Sequence, residues 1–196
     1  MRQIGRVKQV QVQRGPLKRG DKPHRYYDPA PLLVVEKLIL TPQGVIGVTA
    51  EGEELIDVHH AAHPESRHAG VNGVSLGFTS HYRTLREKFG AHLTDGLAGE
   101  NILVETSEEF LQEIPGGCVI MRAQENGKLA YLEQLEVAEP CVEFSHFALN
   151  EPMPVPAARL RDALIFLDHG RRGFYATLRG EEPFVLRAGD TLFVEV

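Results

Sequence analysis

The stretch KLAYLEQLEVAEPC, residues 128–141, alternates apolar and polar side chains more clearly than any other part of the chain. Leu129, Tyr131, Leu135, Val137 and Cys141 share one parity, and residues two apart in a strand face the same side. The pattern predicts a strand that carries Cys141 on its apolar face. Glu133 and Glu139 interrupt the alternation, and Pro140, which lacks an N–H for the ladder, ends it.

Similar segments lie on both sides. Residues 6–13 put Val10 and Val12 on one face, and LLVVEKLILT at 32–41 is apolar enough to predict burial on both sides. GVIGVTA follows at 44–50, then NILVE at 101–105, CVIMRA at 118–123, GFYATL at 173–178 and TLFVEV at 191–196. Nineteen glycines and twelve prolines punctuate these segments, and no linker divides the chain, so one domain over residues 1–196 is expected. Short strands must hide their edges. The expected fold is therefore mainly β, a closed or nearly closed β-barrel with about three peripheral helices.

Ser80 is placed to cap the first helix, with Tyr82, Leu85 and Phe89 on one face against the β core and Gly90 as its stop. Thr106 and Glu109 have capping-box spacing before Phe110, Leu111 and Ile114, ending at Pro115-Gly116. The third helix opens at Pro156 and carries Leu160, Leu164 and Leu167, with Gly170 beyond.

Charge narrows the function classes. The 196 residues hold 27 acidic and 21 basic side chains, a net charge of −6, which excludes a nucleic-acid protein driven by bulk charge. Any anionic ligand must meet a local pocket. The longest apolar run, Ala30 to Val35, is broken by Pro31 and falls far short of the ~20 residues of a membrane span. Nor does the N-terminus carry the ~7 to 15 apolar residues of a secretion signal. A cytoplasmic chain without membrane partners is expected, with Cys118 and Cys141 as thiols.

Cys141, just after a proline, is the first candidate for chemistry, because a thiolate can bind a soft metal or carry sulfur as a persulfide. Cys118 sits among apolar neighbours and reads as core. Gly99-Glu100-Asn101 offers a carboxylate and an amide beside a flexible glycine, suited either to a polar ligand or to bracing a loop. His59, His60, His63 and His68 fall within ten residues. The spacing of His59 and His63, with Asp57 or Glu65, would suit zinc on a helix. However, the pattern is not HExxH and Pro64 follows, so a ligand-facing loop is the better reading. Arg171, Arg172, Arg159, Arg161 and Arg179 read as surface charge or as an oxyanion site. Gly189-Asp190 reads as a hairpin turn.

Taken in order, GLAGENILVE, the EPC ending in Cys141, RRGFYATLRG and RAGDTLFVEV resemble the MOSC domain family, related to the C-terminal domain of molybdenum cofactor sulfurase. SLGFTSHYRTLREKFGAHLTDGL resembles the helical stretch before that family's GEN motif, and Asp57-Val58-His59 resembles its G-D-x-H segment. The likeness covers about 140 residues, from Asp57 to Val196. It implies a β-barrel of the MOSC and pyruvate kinase β-barrel type, and a pocket for the pterin phosphate of molybdenum cofactor (molybdopterin). Cys141 would ligate molybdenum or carry sulfur, and Glu100, Asn101, Arg172, His59 and Asp57 would shape the pocket or bind the cofactor.

The chain departs from the family at several points. Alanine stands at position 138, where the family's R-x-P-C has arginine, with Glu139 next to it. Ile56 replaces the family's glycine, and PGGCVI replaces its Gly-Asp. Pyridoxal phosphate belongs to the description of the wider family, but no lysine here is set for a Schiff base and the chain has no room for the domain that uses it.

The expected function is molybdenum cofactor binding or sulfur carriage, with molybdenum-dependent reductase (oxidoreductase) or sulfurtransferase activity and a redox or sulfur-donor protein as partner. The alternative is a non-catalytic barrel that binds an anionic ligand or partner, which the absent arginine at position 138 favours. A zinc hydrolase using His59 and His63 is the third reading.

Overall fold

The computed structural model describes residues 1–67, 70, 72–152 and 154–195. β1 (Arg2–Gln13) is the strand on which the sheet closes. It pairs antiparallel with β14 (Thr191–Val194), from Arg2↔Val194 to Arg6↔Thr191, and then with β9 (Ile102–Glu105), from Arg6↔Glu105 to Val10↔Ile102. From β14 the sheet continues through β10 (Val119–Arg122), β11 (Leu129–Val137), β12 (Phe174–Leu178) and β8 (Val74–Phe78) to β9, a closed barrel of seven strands. Two register shifts, at Gln3/Gly5 and Val7/Gln9, bend β1 enough to serve both neighbours. At Gly5 a Cβ would collide with the Glu105 carbonyl and the Val104 side chain, so this crossing needs glycine.

The parallel pairing of β8 with β9 requires a crossover, which α1 (Thr79–Phe89) and the loop to Asn101 supply. A second, antiparallel sheet joins β13 (Phe184–Arg187), β5 (Lys37–Thr41), β6 (Gly44–Val48) and β7 (Glu54–Ile56). Its Leu38, Leu40, Val45, Phe184 and Leu186 share one core with Val12, Leu76, Ile102, Val119 and Leu192 of the barrel. β4 (Leu32–Val34) extends the sheet beyond β1, and β2 (Lys18–Arg19) with β3 (Tyr26–Tyr27) forms a separate hairpin. α2 (Val142–Leu149) and α3 (Ala157–Leu167) complete the described elements, with a 3-10 turn at Pro115–Gly117. No described helix is long and apolar enough to cross a membrane.

The strand at 129–137 departs from its sequence pattern. Ala130 and Leu132, not Leu129 and Tyr131, face the core, and Leu129 is exposed. A bulge between Glu133 and Glu136, with Gln134 at φ 53, then switches parity so that Leu135 and Val137 pack inward. The apolar run 32–41 is likewise two strands, β4 and β5, with Val34 exposed.

Three helices form, though not the three expected. Residues 106–114 are not helical: the Glu108 N–H donates to Thr106 Oγ1, and Glu109 accepts from Thr84 on α1. α2 takes the vacant place in the count. Ser80 is no cap, since Phe78 holds the N-cap position and the Ser80 hydroxyl donates to Glu108 O at 2.6 Å. The Tyr82 and Leu85 face of α1 packs in a second core outside the barrel. Gly189-Asp190 joins two different sheets rather than a hairpin; Asp190 accepts from Gln124 N–H and Arg187 N–H, both at 2.8 Å. Cys118 is buried, as its neighbours suggested.

His81, on α1, gives the fold an acid limit. It is 1% exposed, its ring lies 5.2 Å from that of Phe78, and its Nε2 accepts the Phe110 N–H at 3.2 Å. Burial pushes its pKa from 6.5 down to about 4. The unfolded chain therefore takes up a proton that the folded chain refuses, and stability is lost as pH falls from 6.5 towards 4. The share of this one group is roughly 3 kcal/mol. Urea unfolding of His81→Gln, which cannot titrate but can still accept a hydrogen bond, should show a shallower loss across this window than wild type; parallel curves would refute the assignment.

Candidate functional site

A cleft of about 450 Å3 opens beside the barrel where the β2–β3 hairpin, the N-terminus of α2 and β12 meet. Cys141, Arg172, His59, Tyr27 and Tyr175 line it. The charged lining comprises Lys18, Arg25, Arg67 and Arg172 against Glu65 and Glu139. Cations outnumber carboxylates here, although the whole chain carries −6. Behind the wall, buried Glu143 pairs with Arg25 at 2.5 Å and lies 4.0 Å from Lys18.

Cys141 does not end a strand. The β11 ladder stops at Val137, and Cys141 is the N-cap residue of α2, its carbonyl accepting the Ser145 N–H at 3.0 Å. The strand thus ends three residues before Pro140, which stands between β11 and the helix instead of terminating the ladder. The half-buried cysteine packs against the second core, which includes Leu17, Tyr27, Leu85 and Phe144.

An arginine from elsewhere in the fold stands beside the cysteine. Arg172, between α3 and β12, places Nη1 3.8 Å from Cys141 Sγ. It donates to Ala98 O at 3.1 Å and Glu139 O at 3.3 Å, and its guanidinium lies 4.4 Å from the centre of the Phe144 ring. Burial works against this charge, but Tyr27, Cys141, Tyr175 and Glu100 outweigh burial and raise the pKa further. The guanidinium and the helix N-terminus both put positive potential at the sulfur.

Asp57, Glu100 and Asn101 stand behind the cleft instead of lining it. Asp57 Oδ2 accepts from Gln13 N–H at 2.7 Å and Asn101 Nδ2 at 2.8 Å. Its Oδ1 accepts the backbone N–H and the Nδ1–H of His59, both at 2.9 Å, which fixes the ring on the cleft wall. Asn101 Oδ1 in turn accepts from Ser75 N–H and Oγ. The Glu100 carboxyl lies over Gly77, where no Cβ would fit, and meets the Tyr82 hydroxyl at 2.8 Å; burial raises its pKa. These residues brace the loop, which for Glu100 and Asn101 is the second of the two roles their types suggested.

The histidines 59–63 are in turns, not a helix. His60 Nδ1 accepts from Ala62 N–H and His63 Nδ1 from Glu65 N–H, both at 3.1 Å, while His68 lies outside the described residues. No group of three metal-ligating side chains occurs among the described residues. Of the other arginines, Arg159 pairs with Glu151, Arg179 with Glu133, and Arg171 donates to Phe166 O. Sequence reasoning missed Lys18, Arg25, Arg67, Tyr27 and Tyr175. Only Tyr175, inside RRGFYATLRG, lay within a motif already singled out.

No family model and no curated protein matches the sequence. Solved structures do match the fold. YuaD of Bacillus subtilis aligns with TM-score 0.60 and 14% identity over 98% of this chain and 96% of its own. A hypothetical protein aligns with TM-score 0.55 and 14% identity, covering 97% and 68% respectively. YiiM of Geobacillus stearothermophilus aligns with TM-score 0.50 and 14% identity, covering 97% and 75%. The chain shares the barrel fold of these structures. At this identity the likeness concerns architecture alone.

Two outcomes follow from this geometry. Asp57→Asn would turn an amide N–H towards donors that now meet carboxylate oxygen, and should cost about 3 kcal/mol in urea unfolding; a loss under about 1 kcal/mol would show that the four hydrogen bonds do not carry the loop. Secondly, Cys141 should favour anionic iodoacetate over neutral iodoacetamide more than free cysteine does, with the ratio falling as salt rises. Mass spectrometry of the Cys141 peptide measures it, and a salt-independent ratio equal to that of free cysteine would contradict a cationic cleft.

Proposed function

We propose that the cleft binds molybdenum cofactor and that Cys141 supplies the sulfur at which chain and cofactor meet, as a metal ligand or as a persulfide carrier. One observation carries the reading: a half-buried cysteine sulfur lies 3.8 Å from a fixed guanidinium, in a net cationic cleft on a MOSC-like barrel. The donor set fits the group. A thiolate is a soft metal ligand, and Lys18, Arg25 and Arg67 suit the pterin phosphate. About 450 Å3 falls within the range of roughly 300–1,000 Å3 typical of small-molecule sites.

When bound, the molybdenum centre would supply two-electron redox chemistry. The chain's own residues have separate tasks. Arg172 keeps positive charge beside the sulfur without occupying the metal-binding atom, and Asp57 holds His59 in one tautomer on the cleft wall. The second core covers the inner side of Cys141, so the sulfur is approached from the cleft. A redox or sulfur-donor protein would complete the turnover. Pyridoxal phosphate has no part in this reading, which calls on Lys18 only as a cation for the phosphate.

A non-catalytic barrel for an anionic ligand is the alternative. The absent arginine at position 138 was its main support, and Arg172 weakens that argument by reaching the same sulfur.

Protein isolated from cells that make molybdenum cofactor should contain near-stoichiometric molybdenum and pterin, with the metal lost in Cys141→Ser. Metal analysis and pterin fluorescence measure both. Metal retained in Cys141→Ser would rule out ligation by this sulfur, and wild type free of both would leave persulfide carriage or the non-catalytic barrel.

A further inference from the structure

Two tyrosines line the cleft, and their hydroxyls are used differently. The Tyr27 hydroxyl donates to Leu97 O at 2.6 Å, and its ring packs 5.0 Å from Phe144 and 5.2 Å from Phe147. That tyrosine is committed to the fold. Tyr175 is half-buried on β12, its backbone held in register opposite Ser75 and Glu136. Its ring lies 6.1 Å from that of His59, which Asp57 fixes from behind. The Tyr175 hydroxyl has no hydrogen-bond partner among the described residues. The phenol is open to the cleft, and burial of the residue raises its pKa so that it stays protonated as a donor.

The cations of the cleft supply charge, and the Nη groups of Arg172 are already engaged by Ala98 O, Glu139 O and the Cys141 sulfur. A neutral donor on a rigid strand adds direction to that charge, because it rewards a ligand that presents an oxygen at one place. We propose that Tyr175 is a ligand-recognising residue, whose hydroxyl donates to an oxygen of an oxyanion bound in the cleft beside Cys141. The inference rests on the anionic-ligand reading of the cleft. A phosphate ester and a metal oxyanion share this tetrahedral chemistry, and separate probes distinguish them.

The test is protection of Cys141 from alkylation by neutral iodoacetamide in the full-length protein, read by mass spectrometry of its peptide. Inorganic phosphate is titrated in one arm and molybdate in the other. At least one should protect wild type saturably, and Tyr175→Phe should raise the half-protecting concentration about tenfold. Tyr175→Gln, which restores an N–H donor, should recover part of the loss, as a purely structural role would not. Thermal unfolding checks that both variants are folded at the assay temperature. Protection by phosphate alone assigns the hydroxyl to a phosphate group, and protection by molybdate alone assigns it to a metal oxyanion. Equal half-protecting concentrations in wild type and Tyr175→Phe would overturn the role of Tyr175 while leaving the cleft reading intact. Failure of both anions to protect wild type would overturn the two together.

Discussion

The carboxylate of Asp57 is the interaction on which the functional face depends. It is fully buried, and an unpaired charge in that position would cost several kcal/mol. Four donors answer it: the Gln13 N–H at the end of β1, the Asn101 amide before β9, and two N–H groups of His59. Asn101 then reaches Ser75 on β8, so one polar chain ties three neighbouring barrel strands to the loop of the cleft wall. The strands are thereby joined where their own ladder gives way to loops.

The site belongs to a seam between two apolar cores. The larger fills the barrel and the sheet packed with it. The smaller gathers Leu17 and Tyr27 from the hairpin region, Tyr82 and Leu85 from α1, Leu103 from β9, Phe144 from α2 and Leu167 from α3. Cys141 packs against this outer core, and Phe144 within it supplies the ring beneath Arg172. The half-buried thiol therefore rests on elements added outside the barrel. The hairpin and α2 stand outside the seven-strand ladder, consistent with sites carried by loops on a rigid frame.

Most barrel strands were legible because their signal is local. NILVE, CVIMRA, GFYATL and TLFVEV each hold a short apolar pattern between turn residues, and each forms a strand within a residue or two of its expected bounds. The misreadings have physical causes. At Gln134 one residue in left-handed conformation reverses the faces, which no count of parity anticipates. The capping-box spacing at Thr106 lost to tertiary partners on α1. α2 follows a proline and is short, and Phe144 and Ala148 gain from helix formation only because the second core buries them.

The sequence by itself determined the mainly β class, most of the barrel strands, and a cysteine set off by a proline. Those follow from alternation, glycine and proline, whose effects act over a few residues. Tertiary structure alone decided what stands around Cys141. Arg172 is 31 residues away in the chain and reaches the sulfur because Ala98 O, Glu139 O and the face of Phe144 converge to hold its charge. A guanidinium must have such partners wherever it leaves water, and these come from two separate segments, the loop at Ala98 and the stretch from Glu139 into α2, that meet only when the barrel has closed and α2 has docked.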